Sequence, residues 1–268
     1  NDLKRMAEIN DRIALAYQDA GQYAKAVEHF STTLDLHRST GNTASISRTL
    51  RNIATNLYSL NQEAENAKSL NLALGHYFQA IENLEKHGVT KKEKAKTALI
   101  DINIETAFDT DASLAASGFD KTGEQKLIFN YIGRIYGNFG EFDRAIDYFQ
   151  KKLALIPKEL DPKKDIPVML EKAVVLNQIG NYYYQYGHYD RSIAFFKDSY
   201  QLSKQLENRQ GMAVNAANIA RVILTQCEFI PLRQLRKEME NTLVLLDETS
   251  AQIDRSKNLG NPEYRVYL

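Results

Sequence analysis

Few residues in this chain have both the type and the spacing to do chemistry. The five histidines, His29, His37, His76, His87 and His188, share no metal-ligand spacing, and His-Glu-x-x-His is absent. They read as solvated or partly buried side chains, and no metal is expected. Asp109-Thr-Asp111-Ala-Ser113 has the alternating oxygens of a calcium loop. Leu114, however, stands where the sharp turn needs Gly, and Asp120 where a bidentate Glu belongs, so a helix cap is the better reading. There is no Gly-rich phosphate loop and no Gly-x-Ser-x-Gly elbow. The single cysteine, Cys227, excludes an intrachain disulfide and a multi-cysteine zinc site, and reads as a packed thiol. Neither catalysis nor a cofactor is expected.

Charged and aromatic clusters also have plain readings. Lys86, Lys91, Lys92, Lys94 and Lys96 form a run, but Asp101, Glu105, Asp109 and Asp111 follow at once, as on a solvated helix start. Lys plus Arg number 34 and Asp plus Glu 34, so the net charge is zero, and nucleic-acid binding by bulk phosphate neutralisation is not expected. In the cluster Tyr182, Tyr183, Tyr184, Tyr186 and Tyr189, core packing accounts for Tyr183 and Tyr189, whereas the register turns Tyr184 outward. No apolar run exceeds about five residues, against the roughly 20 that span a bilayer, so membrane insertion is not expected. The chain reads as soluble, with the cytoplasm the first expectation for its compartment.

Positioning elements must be helices. Gly (13) and Pro (5) are sparse in 268 residues, and with 43 % hydrophobic and 25 % charged residues a sizeable core can form. A repeat is visible. Tyr131-Ile-Gly133-Arg-Ile-Tyr136 runs through Gly140 into Phe142-Asp-Arg-Ala145-Ile-Asp-Tyr-Phe149, and Gln178-Ile-Gly180-Asn-Tyr-Tyr183 runs through Gly187 into Tyr189-Asp-Arg-Ser192-Ile-Ala-Phe-Phe196. Ile13, Ala14, Tyr17, Gly21, Tyr23, Ala26 and Phe30 keep the same spacing. Ala14 with Ala26, Gly133 with Ala145 and Gly180 with Ser192 are small residues where the two helices of a hairpin cross closely, and Gly140 allows the positive φ that ends a helix. Ala54 stands 40 residues after Ala14, and Ala220 stands 40 after Gly180, while Gly133 to Gly180 is 47. Extended second helices are expected to take up this length, with Ala73, Tyr77 and Ala80 forming the stripe of the second copy. Thr90-Lys-Lys-Glu93 is a capping-box start, and Ile100, Ile104 and Phe108 make a stripe, so a degenerate hairpin with a helix over 91–108 is expected. In the fifth clear copy Cys227 replaces the turn glycine and Pro231 opens the second helix.

This pattern resembles the tetratricopeptide repeat, in its long-period class of about 40 residues. The resemblance implies an all-α fold: a right-handed superhelical solenoid of five to six antiparallel hairpins, one degenerate. One domain over 1–268 is expected, with repeats near 7–40, 46–86, 90–120, 126–158, 170–206 and 212–247. A further helix opening at Asn261-Pro262 and running over 262–268 suggests a piece of a longer protein. The resemblance also implies that a protein or peptide segment binds in the concave groove lined by first helices. Its groove positions, two before and one, four and five after the small residue, carry over to Asn52, Thr55, Tyr58 and Ser59; Tyr131, Arg134, Gly137 and Asn138; Gln178, Asn181, Tyr184 and Gln185; and Asn218, Arg221, Leu224 and Thr225. Arg51, Asn130 and Asn177 stand one step further back. Asn both donates to and accepts from a peptide backbone, and Arg grips a carboxylate, so an acidic partner is the expectation. The chaperone-tail carboxylate clamp is not met, because Asp11 and Leu15 occupy the cation and amide positions of the first copy. Two other readings stay open: a sensor arm controlling an attached effector, such as a CHAT-type peptidase or a transcriptional regulator, and self-association through the terminal hairpins.

Overall fold

A computed structural model describes residues 2–64, 67–86 and 119–257. Among them are ten α-helices and no strand: α1 Asp2–Asp19, α2 Tyr23–Thr40, α3 Thr43–Ala64, α4 Ala67–Lys86, α5 Lys121–Asn138, α6 Phe142–Ala154, α7 Ile166–Gln185, α8 Tyr189–Gln205, α9 Arg209–Gln226 and α10 Leu232–Lys257. The chain divides into two compact units, Asn1–Phe139 and Gly140–Leu268. The degenerate hairpin, its helix over 91–108, the acidic loop at Asp109 and the helix at 262–268 lie outside the described residues.

In the amino-terminal unit α1 packs on α2, α2 on α3 and α3 on α4, while α5 meets both α3 and α4. Small residues make these approaches: Ala14 and Ala26 are fully buried, as are Ala54, Ala73 and Ala80. Tyr77 and Phe30 fill the spaces they leave. Burying a large side chain of this kind contributes roughly 1.5–3 kcal/mol.

The carboxy-terminal unit repeats the plan through α7–α8 and α9–α10. At the α7–α8 crossing the Ser192 hydroxyl donates to the Gly180 carbonyl at 2.8 Å. A Cβ at Gly180 would lie 2.8 Å from the Phe196 ring, so only glycine permits this approach without displacement. Phe149, Val175, Ile179 and Tyr183 form one core cluster, and Phe196, Ile219 and Val222 another.

The turns follow the chemistry of their residues. Gly21, Gly41, Gly140 and Gly187 all have positive φ, between 67° and 82°. Asn42, Asp120 and Asn208 cap the next helix, each side chain accepting from the backbone N–H three residues on, at 3.2, 2.8 and 3.0 Å. Cys227 is tolerated at the α9–α10 turn because its φ is −60°, so no left-handed residue is needed there. Pro231 directly precedes α10.

One expected detail needs correction. The 47-residue spacing from Gly133 to Gly180 does not come from a lengthened second helix, since α6 has only 13 residues. The excess sits in the connection 155–165. Pro157 and Pro162 interrupt helical bonding there, and Asp161 and Asp165 fold the segment on itself: the Asp161 N–H donates to the Asp165 carboxylate and the Lys163 N–H to Asp161, both at 2.9 Å. In the second repeat, by contrast, α3 and α4 do lengthen, to 22 and 20 residues.

Candidate functional site

Five helices carry an isoleucine directly before the small residue: Ile13-Ala14 on α1, Ile53-Ala54 on α3, Ile132-Gly133 on α5, Ile179-Gly180 on α7 and Ile219-Ala220 on α9. These are the first helices of the hairpins. The four stretches from six residues before to five after the small position on α3, α5, α7 and α9, namely 48–59, 127–138, 174–185 and 214–225, contain no Asp or Glu. They hold four arginines, Arg48, Arg51, Arg134 and Arg221, in a chain whose charges balance overall.

In the amino-terminal unit the expected site residues split into spent and open groups. Arg51 is not available to a ligand. Its Nε donates to Glu124 at 2.5 Å, and this pair is largely buried, tying α3 to α5. Asn52 is buried rather than open, because its stripe of α3 continues into Asn56, whose amide donates to Gln18 of α1 at 2.8 Å. The Thr55 hydroxyl lies 3.0 Å from the Tyr77 hydroxyl. Tyr58 is also buried, packed edge-on against Tyr131 with centroids 5.6 Å apart. Arg134 is exposed, and its guanidinium lies over the Tyr58 ring at 5.1 Å. Asn138 is exposed and Asn130 half-buried.

In the carboxy-terminal unit the expected residues meet one another. Asn177 donates to Asn215 at 2.8 Å, joining α7 to α9. Asn181 donates back to the backbone carbonyl and side-chain oxygen of Asn177, at 3.1 and 3.0 Å. Arg221 in turn donates to the Asn181 side-chain oxygen at 2.9 Å and lies over the Tyr184 ring at 4.6 Å. The Tyr184 hydroxyl meets Thr225 at 3.1 Å. Asn218 is half-buried beside this ladder.

One arrangement therefore occurs twice, once in each unit. An arginine one place after the small residue lies on a tyrosine four places after the small residue of another first helix: Arg134 on Tyr58 and Arg221 on Tyr184. Stacking holds the guanidinium plane while its N–H groups stay at the surface. What the sequence reasoning missed is aliphatic. Leu127, Val174 and Val214, each six residues before the small position, are all exposed. Their shared register was the signal. Asn215 and Glu124 were also missed, because their importance lies in partners 38 and 73 residues away.

Among the described residues no group of three His, Cys, Asp or Glu side chains could hold a metal. None of the described helices is long and apolar enough to cross a membrane. Burial lowers the pKa of His76 and His37; Arg38 adds to this at His76, while at His37 Asp11 opposes it. Burial raises Asp11, against the pull of His37 and Arg48.

Residues 5–77 and 132–163 match models of the tetratricopeptide repeat. No curated protein sequence matches the chain. Among solved structures, it resembles nearly identical TPR-like repeats from a kinesin light chain candidate of Podosopora anserina, with a TM-score of 0.55 and 14 % identity over 90 % of this chain and 95 % of that one. It also resembles a signal transduction ATPase with numerous domains (STAND) with a tetratricopeptide repeat sensor, from Pyrococcus horikoshii, with a TM-score of 0.54 and 14 % identity. That match covers 93 % of this chain but 33 % of the other protein. At such identity the likeness is one of fold. Two separate segments thus match the tetratricopeptide repeat, and the described helices share the fold of tetratricopeptide-repeat solenoids.

Proposed function

We propose that the first-helix faces bind an acidic protein segment. The carrying observation is the recurrence of an arginine laid on a tyrosine, Arg134 on Tyr58 and Arg221 on Tyr184, within helix faces that have no carboxylate of their own. Each guanidinium keeps N–H donors at the surface, matched to a carboxylate by its fork geometry. Arg221 is further oriented by Asn181. The cost of ordering the side chain is thus reduced before a ligand arrives.

Val174 and Val214 add a preference. On α9, Val214 lies seven residues from Arg221, or about 10 Å along the helix. An extended peptide covers that distance in about three residues, so the favoured ligand has an aliphatic side chain about three positions from an Asp or Glu. Asn138 and Asn218 are polar groups that a peptide backbone can meet, while Asn177 and Asn181 are engaged with Asn215, Arg221 and each other.

A synthetic array of extended peptides, scored for captured protein, tests this directly. Captured peptides are expected to be rich in Asp and Glu, and binding to fall with salt. Arg221→Ala should weaken binding roughly tenfold or more, as charged hydrogen bonds contribute about 1.5–3 kcal/mol. Arg221→Lys should recover little, since an ammonium lacks the fork and stacks poorly. Capture without acidic preference, or unchanged binding by the Arg134→Ala/Arg221→Ala double variant, would overturn the reading.

A further inference from the structure

Two of the described first helices carry an aliphatic residue six places before the small position and an arginine one place after it. These are α5, with Leu127 and Arg134, and α9, with Val214 and Arg221. The same two positions hold Glu8 and Leu15 on α1, Arg48 and Thr55 on α3, and Val174 and Asn181 on α7. Leu127 and Val214 are each 47 % exposed, and both arginines are exposed. Seven residues make about two helical turns, so the aliphatic and the arginine of each pair share a face.

The tyrosines alternate with these pairs. Four places after the small residue stand Tyr58 on α3 and Tyr184 on α7, whereas α1, α5 and α9 hold Gln18, Gly137 and Leu224 there. Each ring holds one arginine, Tyr58 that of α5 and Tyr184 that of α9. Each set also closes within one compact unit: Tyr58, Leu127 and Arg134 belong to Asn1–Phe139, and Tyr184, Val214 and Arg221 to Gly140–Leu268. The motif that such a set favours, an aliphatic side chain three positions from an acid, is therefore matched twice in one chain.

We propose that the protein is a scaffold with two separate sites for one acidic and aliphatic motif, the first on α3 and α5 and the second on α7 and α9. It rests on the acidic-segment reading above, and adds that two copies are held at once.

Titration calorimetry of the chain at low salt tests this, with the synthetic peptide Gly-Ser-Leu-Ser-Ser-Asp-Ser-Gly and its reverse as probes. The orientation that binds is expected to fill two equivalents per chain. Arg134→Ala and Arg221→Ala should each leave one equivalent, and the double variant none, all with unchanged circular dichroism. The aliphatic residues then report which site remains. In the Arg134→Ala chain, Val214→Ser should weaken the surviving site about three- to tenfold and Leu127→Ser should not; in the Arg221→Ala chain the dependence should reverse. A single equivalent in the unaltered chain overturns the proposal, as does loss of all binding in either single arginine variant or an aliphatic dependence that fails to reverse. Each of these leaves the acidic-segment reading standing. So does binding of neither peptide while the array captures other acidic peptides, which removes the shared motif and the proposal alone. Should the array capture no acidic peptide, both fall.

Discussion

Glu207 holds a left-handed φ of 53°, the only positive value on a non-glycine residue among those described. It stands before the capping Asn208 as Gly41 stands before the capping Asn42, so the turn has the same plan with a less suitable residue. A Cβ in this conformation costs roughly 1–2 kcal/mol, partly offset by the freedom that glycine restores to the unfolded chain. Glu207→Gly should therefore raise stability by about 0.5–1 kcal/mol, read as a higher denaturation midpoint, while Gly187→Ala should lower it. Protonation gives a second residue-level expectation. His76 has a buried Nδ1 with no hydrogen-bond partner among the described residues, and burial lowers its pKa, as it does that of His37. The unfolded chain then binds protons more readily, so stability falls as pH drops below the ordinary histidine value near 6.5. Asp11 has the opposite sign, its raised pKa favouring the folded state at low pH, but it acts nearer the ordinary aspartate value of about 3.9. Thermal midpoints should decline between pH 7.5 and pH 5.5, a window chosen to bracket about 6.5. His76→Gln should flatten the decline; an equal slope in that variant would exclude His76 as a source.

The α7–α8 hairpin shows how closely its elements depend on one small residue. Gly180→Ala sets a methyl group 2.8 Å from two carbons of the Phe196 ring, and Phe196 is fully buried. The helices must part, at about 1–3 kcal/mol by analogy with overpacked cores. Phe196→Leu in the same chain should recover part of that loss, checked by a double-mutant cycle. Hairpins of this sort were legible in the sequence because they rest on local regularities: a small residue every 40 or so positions, an aromatic several places on, and a glycine at the turn. The outward register of Arg134, Tyr184 and Arg221 was legible for the same reason. What could not be read was choice of partner. Nothing near Arg51 in sequence points to Glu124, 73 residues away, and Asn177 gives no sign that it will meet Asn215 and not a ligand. The surplus between Gly133 and Gly180 was visible as a length, yet a count of residues does not say whether they extend a helix or fold into a connection.

Each unit is a series of contacts between sequence neighbours, and stability in such a chain is approximately a sum of repeat and interface contributions. Damage should accordingly stay local. Hydrogen exchange of the Gly180→Ala protein should show protection lost first in α7 and α8, with amides of α1 to α4 exchanging as in the unaltered chain. A uniform loss over both units would show that the molecule unfolds as one cooperative body. The connection 155–165 allows a different use of this architecture. Residues 157–159 and 161–164 are exposed, their neighbour Ile156 is buried, and Asp161 and Asp165 close the segment through bonds of their own. A loop anchored in this way at its base and open at its crest can be lengthened at small entropic expense. A fluorescent group, an affinity tag or a whole reporter domain placed between Lys158 and Glu159 would leave every hairpin intact, making this stretch the natural port for instrumenting the protein.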